Sequence, residues 1–367
     1  MNQLKNIATI VLMSVTIFGL SFWGWGKEAD DFSESERRVL AAFPELSTET
    51  ILNGKFMSEF EDYAMDQFPM RDIFRGIKSA SVLGAFSQLD NNDLYIADGY
   101  ISKMEYPLNE KMLDYASERF QFIYDSYIAG TDANVYLSVI PDKNYFLAKE
   151  SGRLSLDYEK LISYMQDKNS NMSYIDITEL LSLEDYYRTD THWRQEKISD
   201  VAAELAAKMG VPFGETYAIE TLDHPFYGVY YGQLALPVEP DEIQYVMNDT
   251  LKNCVVTYLD TGMPIEGSIY DMEKAYGKDP YEMYLSGATA LVTIENPNAS
   301  TEKELIVFRD SFAGSLIPYL VEGYQKITLV DIRYVDSKLL GAFLKVDNQD
   351  VLYLYSTILL NNSLGLK

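Results

Sequence analysis

Leu305-Ile306-Val307-Phe308 is an unbroken apolar run that closes on Arg309-Asp310-Ser311, and from Ser311 to Tyr324 the pattern is helical, with Pro318 inside it. Four consecutive apolar residues bounded by polar ones suit a strand covered on both faces, as in parallel sheets. The same beat repeats downstream: residues 327–332 read as a strand, 336–344 as a helix and 351–355 as a last strand. Strands alternating with helices predict an α/β fold, a mostly parallel sheet flanked by helices on both faces. Ser311 would then lie just outside the carboxyl end of a strand and open a helix, where open α/β sheets gather their ligands. Helix-start amides favour negative charge at that place. Asp310 or Ser311 acting simply as a cap of the helix is the competing local reading.

Upstream, the spacing predicts a strand over 134–140, ended by Pro141-Asp142-Lys143, a helix over 158–167 and a short strand over 173–177. Residues 194–209 form an amphipathic helix pattern closed by Gly210, and 109–129 a longer one. Alternation around Asp98-Gly99 predicts a hairpin over 93–102. Residues 54–68 and 70–82 read as two further helices separated by Pro69. Residues 213–297 hold short Tyr-rich strands and many Gly and Pro turns, and read as an irregular or β-rich insertion near the site. The expected organisation is a membrane span over 1–26, a linker with helices over 27–90, and the α/β domain over 91–367.

Composition narrows the function. The 367 residues include 47% hydrophobic and 13% aromatic side chains, enough for a sizeable core, and 29 tyrosines that suit half-buried strands and polar clefts. A net charge of −26 repels phosphate backbones and argues against nucleic-acid partners. Cys254 is the single cysteine, so no intramolecular disulfide forms, and one Cys with two His cannot build a structural zinc site. Lys5 precedes an uncharged stretch over 6–26 of membrane-spanning length, with Trp23 and Trp25 at its end and Glu28, Asp30 and Asp31 beyond. No small-x-small cleavage signal follows. The expectation is an uncleaved signal anchor with the acidic body outside the cell, or a secreted protein if the segment is cleaved.

His192 and His224 are the two histidines. His192 lies in Asp190-Thr191-His192-Trp193, and in an extended or turn segment the side chains of Asp190 and His192 point the same way. The carboxylate can then hold Nδ1 and free Nε2, and Ser311 supplies a nucleophile, so three acyl-transfer roles are available. Two alternatives stand beside this: Asp190 or Thr191 as an N-cap with His192 on the surface, or Asp190, His192 and Asp310 as metal ligands. His224, in Asp223-His224-Pro225, reads as a loop residue.

These motifs resemble the DHHW family of Gram-positive bacteria, related to SGNH-hydrolase-like proteins that O-acetylate alginate and other exopolysaccharides. The resemblance runs through Ser35-Glu36-Arg37-Arg38, Asp66-Gln67-Phe68-Pro69-Met70-Arg71, Ile140-Pro141-Asp142-Lys143, Tyr187-Arg188-Thr189-Asp190-Thr191-His192-Trp193 and Phe226-Tyr227-Gly228. It continues in Phe308-Arg309-Asp310-Ser311-Phe312 and Leu329-Val330-Asp331-Ile332-Arg333-Tyr334. Thr191 stands where the family's D-H-H-W has its first histidine. The resemblance implies an SGNH-like (flavodoxin-like) fold, and a triad of Ser311 as nucleophile, His192 as base then acid and Asp190 as its orienter. It implies acetyl transfer to a cell-surface or exported polysaccharide, no cofactor, no metal, and a membrane-bound O-acyltransferase as acetyl donor. An acetylesterase with the same triad and a non-catalytic envelope carbohydrate-binding protein are the other readings. Lys143, Trp193, Arg309 and Arg333 are candidates for binding substrate, and Gly228, Gly287 or a side-chain amide for the second oxyanion donor.

Overall fold

In the computed structural model, which describes residues 2–33, 35–214, 216–259 and 263–367, the apolar run at 305–308 is an inner strand of an eight-stranded sheet. In chain order the strands are β1 (Asn134–Ile140), β2 (Ser173–Tyr174), β3 (Val255–Leu259), β4 (Pro264–Gly267), β5 (Leu291–Glu295), β6 (Glu304–Arg309), β7 (Lys326–Val330) and β8 (Asp350–Ser356). They lie in the order β4-β3-β5-β7-β6-β8-β1-β2. The five strands from β7 to β2 run parallel, and β5, β3 and β4 extend the other edge antiparallel.

The period-2 rule of a strand explains why β6 is apolar throughout. Leu305 and Val307 face one core with Leu352, Leu354, Val201, Leu205 and Leu316, while Ile306 and Phe308 face the other with Val351, Tyr353, Leu113, Phe120 and Leu161. The first core is covered by the helices Ser199–Met209 and Ala313–Leu320, the second by Glu110–Ile123 and Tyr158–Lys168. Each fully buried aliphatic side chain in these layers contributes roughly 1.5–3 kcal/mol.

The β-rich insertion joins the main sheet: β3, β4 and β5 all come from it, with Val256, Tyr258, Val292 and Ile294 alternating inward. The helix expected from Arg194 starts at Ser199 instead, after a 3-10 turn Gln195–Lys197. The buried side chain of Gln195 donates to Ser315 O and accepts from Val246 N and Tyr270 Oη, which ties this turn to the insertion. Residues 337–342 likewise form 3-10 turns rather than an α-helix.

The sheet belongs to one compact unit, Asp93–Tyr230 with Val238–Lys367. A second unit consists of Met1–Asn92 with Tyr231–Pro237. It begins with the helix Asn2–Gly26, whose stretch Gln3–Gly26, with a mean hydropathy of 1.9, meets the length and composition of a membrane span. Its helix Lys55–Asp66 gathers Phe56, Phe60 and Tyr63 around Phe43. Asp66, held at about 2 by its hydrogen bonds from Arg38, fixes the chain ahead of that cluster. Arg75 and Ser79, on the helix Arg71–Ala80, donate to the carbonyls of Gly232, Gln233 and Leu234, which fastens the Tyr231–Pro237 segment.

Candidate active site

The turn after β6 is built by Asp310. Its Oδ1 accepts from Phe312 N at 3.0 Å and its Oδ2 from Ser356 N, the last residue of β8, at 2.8 Å. Asp310 is therefore committed to two backbone amides and not to a ligand set with His192. The helix itself starts at Ala313, with Phe312 at the cap and no side-chain cap bond, so Ser311 does not cap it. The Ser311 hydroxyl is left for another partner.

That partner is His192, whose Nε2 lies 2.8 Å from Ser311 Oγ, while its Nδ1 lies 2.6 Å from Asp190 Oδ1. A carboxylate only accepts, so Nδ1 carries the proton and Nε2 offers its lone pair to the serine hydroxyl. Asp190 is buried, and the His192 side chain is 12% exposed. Two amides also bind the carboxylate: His192 N at 3.1 Å on Oδ1 and Val229 N at 2.9 Å on Oδ2. Three donors hold it in one orientation.

The loop carrying this pair is fixed from several sides. Asp241 accepts from Arg188 N, Thr189 N and Thr189 Oγ1 at 2.6–2.8 Å. Thr189 Oγ1 in turn accepts from Gly228 N, and Tyr187 N donates to His192 O. Thr191 accepts from Tyr230 Oη at 3.0 Å, so the position that departs from D-H-H-W has a structural partner. Asp241, Val229 and Tyr230 were not legible as site residues, because they act through backbone donors or tertiary contacts that leave no spacing rule.

Gly228 shows how tight the loop is. A Cβ there would stand 2.3 Å from Asp190 Cβ and 2.4 Å from its Cα. Gly228→Ala is therefore expected to displace Asp190 and lower turnover of an acetyl ester by roughly ten- to a hundredfold, the scale of a misplacement near 1 Å. Unchanged kcat/KM would mean that the Phe226–Tyr230 segment yields instead.

The structure places the four expected substrate-binding side chains differently. Trp193 is fully buried and donates Nε1–H to Phe312 O at 3.0 Å and Ser315 Oγ at 2.9 Å, pinning the helix that follows Ser311. Arg309 is buried, donating to Gly287 O at 3.0 Å and lying 3.9 Å from Asp331. Lys143 is 2% exposed and donates to Ile101 O, Tyr187 O and Arg188 O at 2.5, 2.8 and 3.3 Å, clamping the approach to Asp190 and His192. None of these three has a polar group open to a sugar, because each is buried and bonds to the protein's own groups. Arg333 chelates Asp331 with two nitrogens, rests over the Tyr334 ring and keeps its side chain 24% exposed. Of the proposed oxyanion amides, Gly228 N is engaged with Thr189 and Gly287 N with Tyr284 O. His224 packs against Tyr276, and the imidazole at Ser311 is that of His192.

Burial pushes the Lys143 ammonium down to about 7, against the pull of Asp190, Asp241 and Asp142. An unfolded lysine holds its proton to about 10.4. Between about pH 7 and pH 10 the unfolded chain thus binds a proton that the folded chain has shed, and stability rises with pH. Lys143→Met is expected to flatten that rise, read from denaturant midpoints across the window. A wild-type slope in the variant would contradict the assignment.

Sequence reading also missed Tyr281, whose ring lies parallel to the His192 imidazole with centroids 3.8 Å apart. Among the described residues no group of three or more His, Cys, Asp and Glu side chains is arranged to hold a metal ion.

Solved structures share this architecture. A DHHW family protein from Eubacterium siraeum is 22% identical, over 76% of this chain and 95% of that one, with a TM-score of 0.61. PatB1 from Bacillus cereus is 17% identical over 73% and 96%, with a TM-score of 0.58. Its form with a sulfonyl adduct is 16% identical over 74% and 97%, at 0.57. These likenesses bear out the α/β fold with its mostly parallel sheet. No curated protein matches the sequence. The family model described as DHHW protein matches residues 125–330, more than half the chain and the whole stretch that carries Asp190, His192 and Ser311. The chain belongs to the DHHW family.

Proposed function

We propose that this protein is an extracytoplasmic O-acetyltransferase that moves an acetyl group through Ser311 to a hydroxyl of a cell-surface or exported polysaccharide. The observation that carries the reading is the unbroken relay from Asp190 through His192 to Ser311, with links of 2.6 and 2.8 Å. Ser311 Oγ bonds to the acetyl carbonyl carbon as its proton passes to His192 Nε2. The tetrahedral intermediate collapses, the bond to the donor's leaving group breaks, and that group takes the proton from His192. Acetyl-Ser311 remains. An acceptor hydroxyl then gives its proton to His192 while its oxygen attacks, the serine ester breaks, and the proton returns to Ser311. Asp190 keeps the imidazole in the productive tautomer and stabilises the imidazolium formed twice in the cycle. The cycle balances in acetyl and protons and calls for no cofactor.

The amide of Ser311 has no acceptor among the described residues and sits at a helix start, which suits it to the oxyanion. Arg333, the one expected sugar-binding side chain with an exposed edge, is assigned to the acceptor side. Membership of the DHHW family, with its resemblance to exopolysaccharide O-acetylation proteins, supports acetyl as the group transferred. The sulfonyl adduct of PatB1 supports a nucleophile in this fold, since sulfonylation marks an activated one. The apolar helix Asn2–Gly26 supports a tether at the membrane, where a membrane-bound O-acyltransferase would hand over the acetyl group.

The same relay would serve an acetylesterase, with water in place of the sugar. The test is to feed the purified full chain in detergent with p-nitrophenyl acetate, with and without soluble glycans, and follow acetyl in both products. Transfer is expected to move acetyl into a glycan ester at the expense of free acetate. Acetate as the single product over a broad panel of glycans would overturn transfer in favour of hydrolysis.

A further inference from the structure

The imidazole of a relay must stay in one plane while it gains and loses a proton, and one face of His192 is covered by Tyr281. The two rings are 9° from parallel with centroids 3.8 Å apart. Tyr281 belongs to a 3-10 turn, Pro280–Met283, whose start is fixed by Asp279 accepting from Tyr281 N at 3.2 Å. The residue is 5% exposed. Its hydroxyl lies 2.9 Å from Ser315 Oγ, which also accepts from Trp193 Nε1. Trp193 follows His192 in the chain, and Ser315 lies one helical turn beyond Ser311. The ring is thus held by both elements of the relay, the histidine's loop and the serine's helix.

We propose that Tyr281 is a positioning residue for the acyl-transfer reaction, its face holding the imidazole on the line from Asp190 to Ser311 and stabilising the imidazolium that forms there. This rests on the proposed function for its purpose, although not for its physical test. The aromatic face carries the negative end of the ring quadrupole, so it attracts the protonated imidazole more than the neutral one. The partner in contact with Nδ1 is the carboxylate of Asp190, and Nε2 meets the Ser311 hydroxyl. Phe312 adds an uncharged ring at 4.8 Å. From the insertion's side the charged groups facing Tyr281 are Asp279 and, across the site, Asp190 and Asp310. Burial holds the phenol well above its ordinary value, so the ring stays neutral through the range in which an imidazole titrates. Asp190 and Asp310 are held by backbone amides, and Asp279 accepts from the Tyr281 backbone rather than from its ring, which lets a substitution isolate the face itself.

A chain with two histidines makes the measurement direct. The imidazole signals of the full chain in detergent are titrated by NMR, with a His224→Gln variant assigning them. In Tyr281→Leu the His192 midpoint is expected to fall by about one pH unit, a tenfold loss of preference for the protonated ring. In Tyr281→Phe, which keeps the face and drops the hydroxyl, the midpoint is expected to stay at the wild-type value. The His224 midpoint is expected to hold in both, which shows that the fold does. A wild-type His192 midpoint in Tyr281→Leu would overturn the proposal, as would a Phe variant that shifts as far as the Leu variant. Acetyl-ester kinetics are read separately: a wild type without turnover sinks the acyl-transfer reading and leaves the titration result standing. Where turnover is present, the acid limb of the kcat/KM profile is expected to move to lower pH in Tyr281→Leu and to return in Tyr281→Phe.

Discussion

Ser311→Ala is expected to lower acetate release from p-nitrophenyl acetate by at least about 10³-fold, because Ser311 Oγ is the oxygen that the described residues bring to hydrogen-bond distance of His192 Nε2. The methyl group keeps the turn intact: Asp310 still binds Phe312 N and Ser356 N, and Trp193 still holds Ser315 and Phe312 O. The loss is therefore chemical, and melting should change little. His192→Ala is expected to cost about as much, and the double variant hardly more, since the members of a relay act as a unit. Losses that add would give the two residues separate roles. Turnover by Ser311→Ala at the wild-type rate would remove the nucleophile assignment altogether.

Asp190→Asn should cost roughly 10³–10⁴-fold in kcat with little change in shape. The reason lies in the donors around the carboxylate. Two N–H groups of His192 face Oδ1 and one of Val229 faces Oδ2, so both oxygens must accept. An amide has one accepting oxygen. Placed toward His192, it turns its NH₂ against Val229 N–H. Placed toward Val229, it turns its NH₂ against Nδ1 and forces the proton to Nε2, where it blocks attack by the serine. Either rotamer leaves a donor facing a donor in a buried place. Activity within tenfold of wild type would mean that Asp190 serves the loop and not the imidazole.

The strand–turn–helix at 305–320 was legible because a strand buried on both faces has to be apolar at every position, and Leu305 to Phe308 obey that rule. Asp190 and His192 were legible as a pair because two residues of separation set their common direction. What the sequence could not reveal was the third dimension of the site. Tyr281, Asp241 and Val229 reach it from the insertion or its approach, and their contacts follow from sheet pairing and turn packing, which leave no local spacing. The antiparallel edge was hidden for a related reason, since the alternation of β3 and β5 does not tell which sheet they join. Lys143 and Arg309 misled in the opposite direction. A cation beside a motif reads as a ligand's partner, whereas here the ammonium and guanidinium satisfy backbone carbonyls at loop ends that would otherwise be buried without donors.

In the proposed cycle Ser311 carries the acetyl group between donor and acceptor. Peptide mass spectrometry of the full chain, quenched in acid during turnover of an acetyl ester, reads this directly. One acetyl group on the peptide containing Ser311, absent from Ser311→Ala and accumulating when acceptor is withheld, is the expected result. An acetyl group found on another residue, or equal labelling of the Ser311→Ala chain, would contradict it.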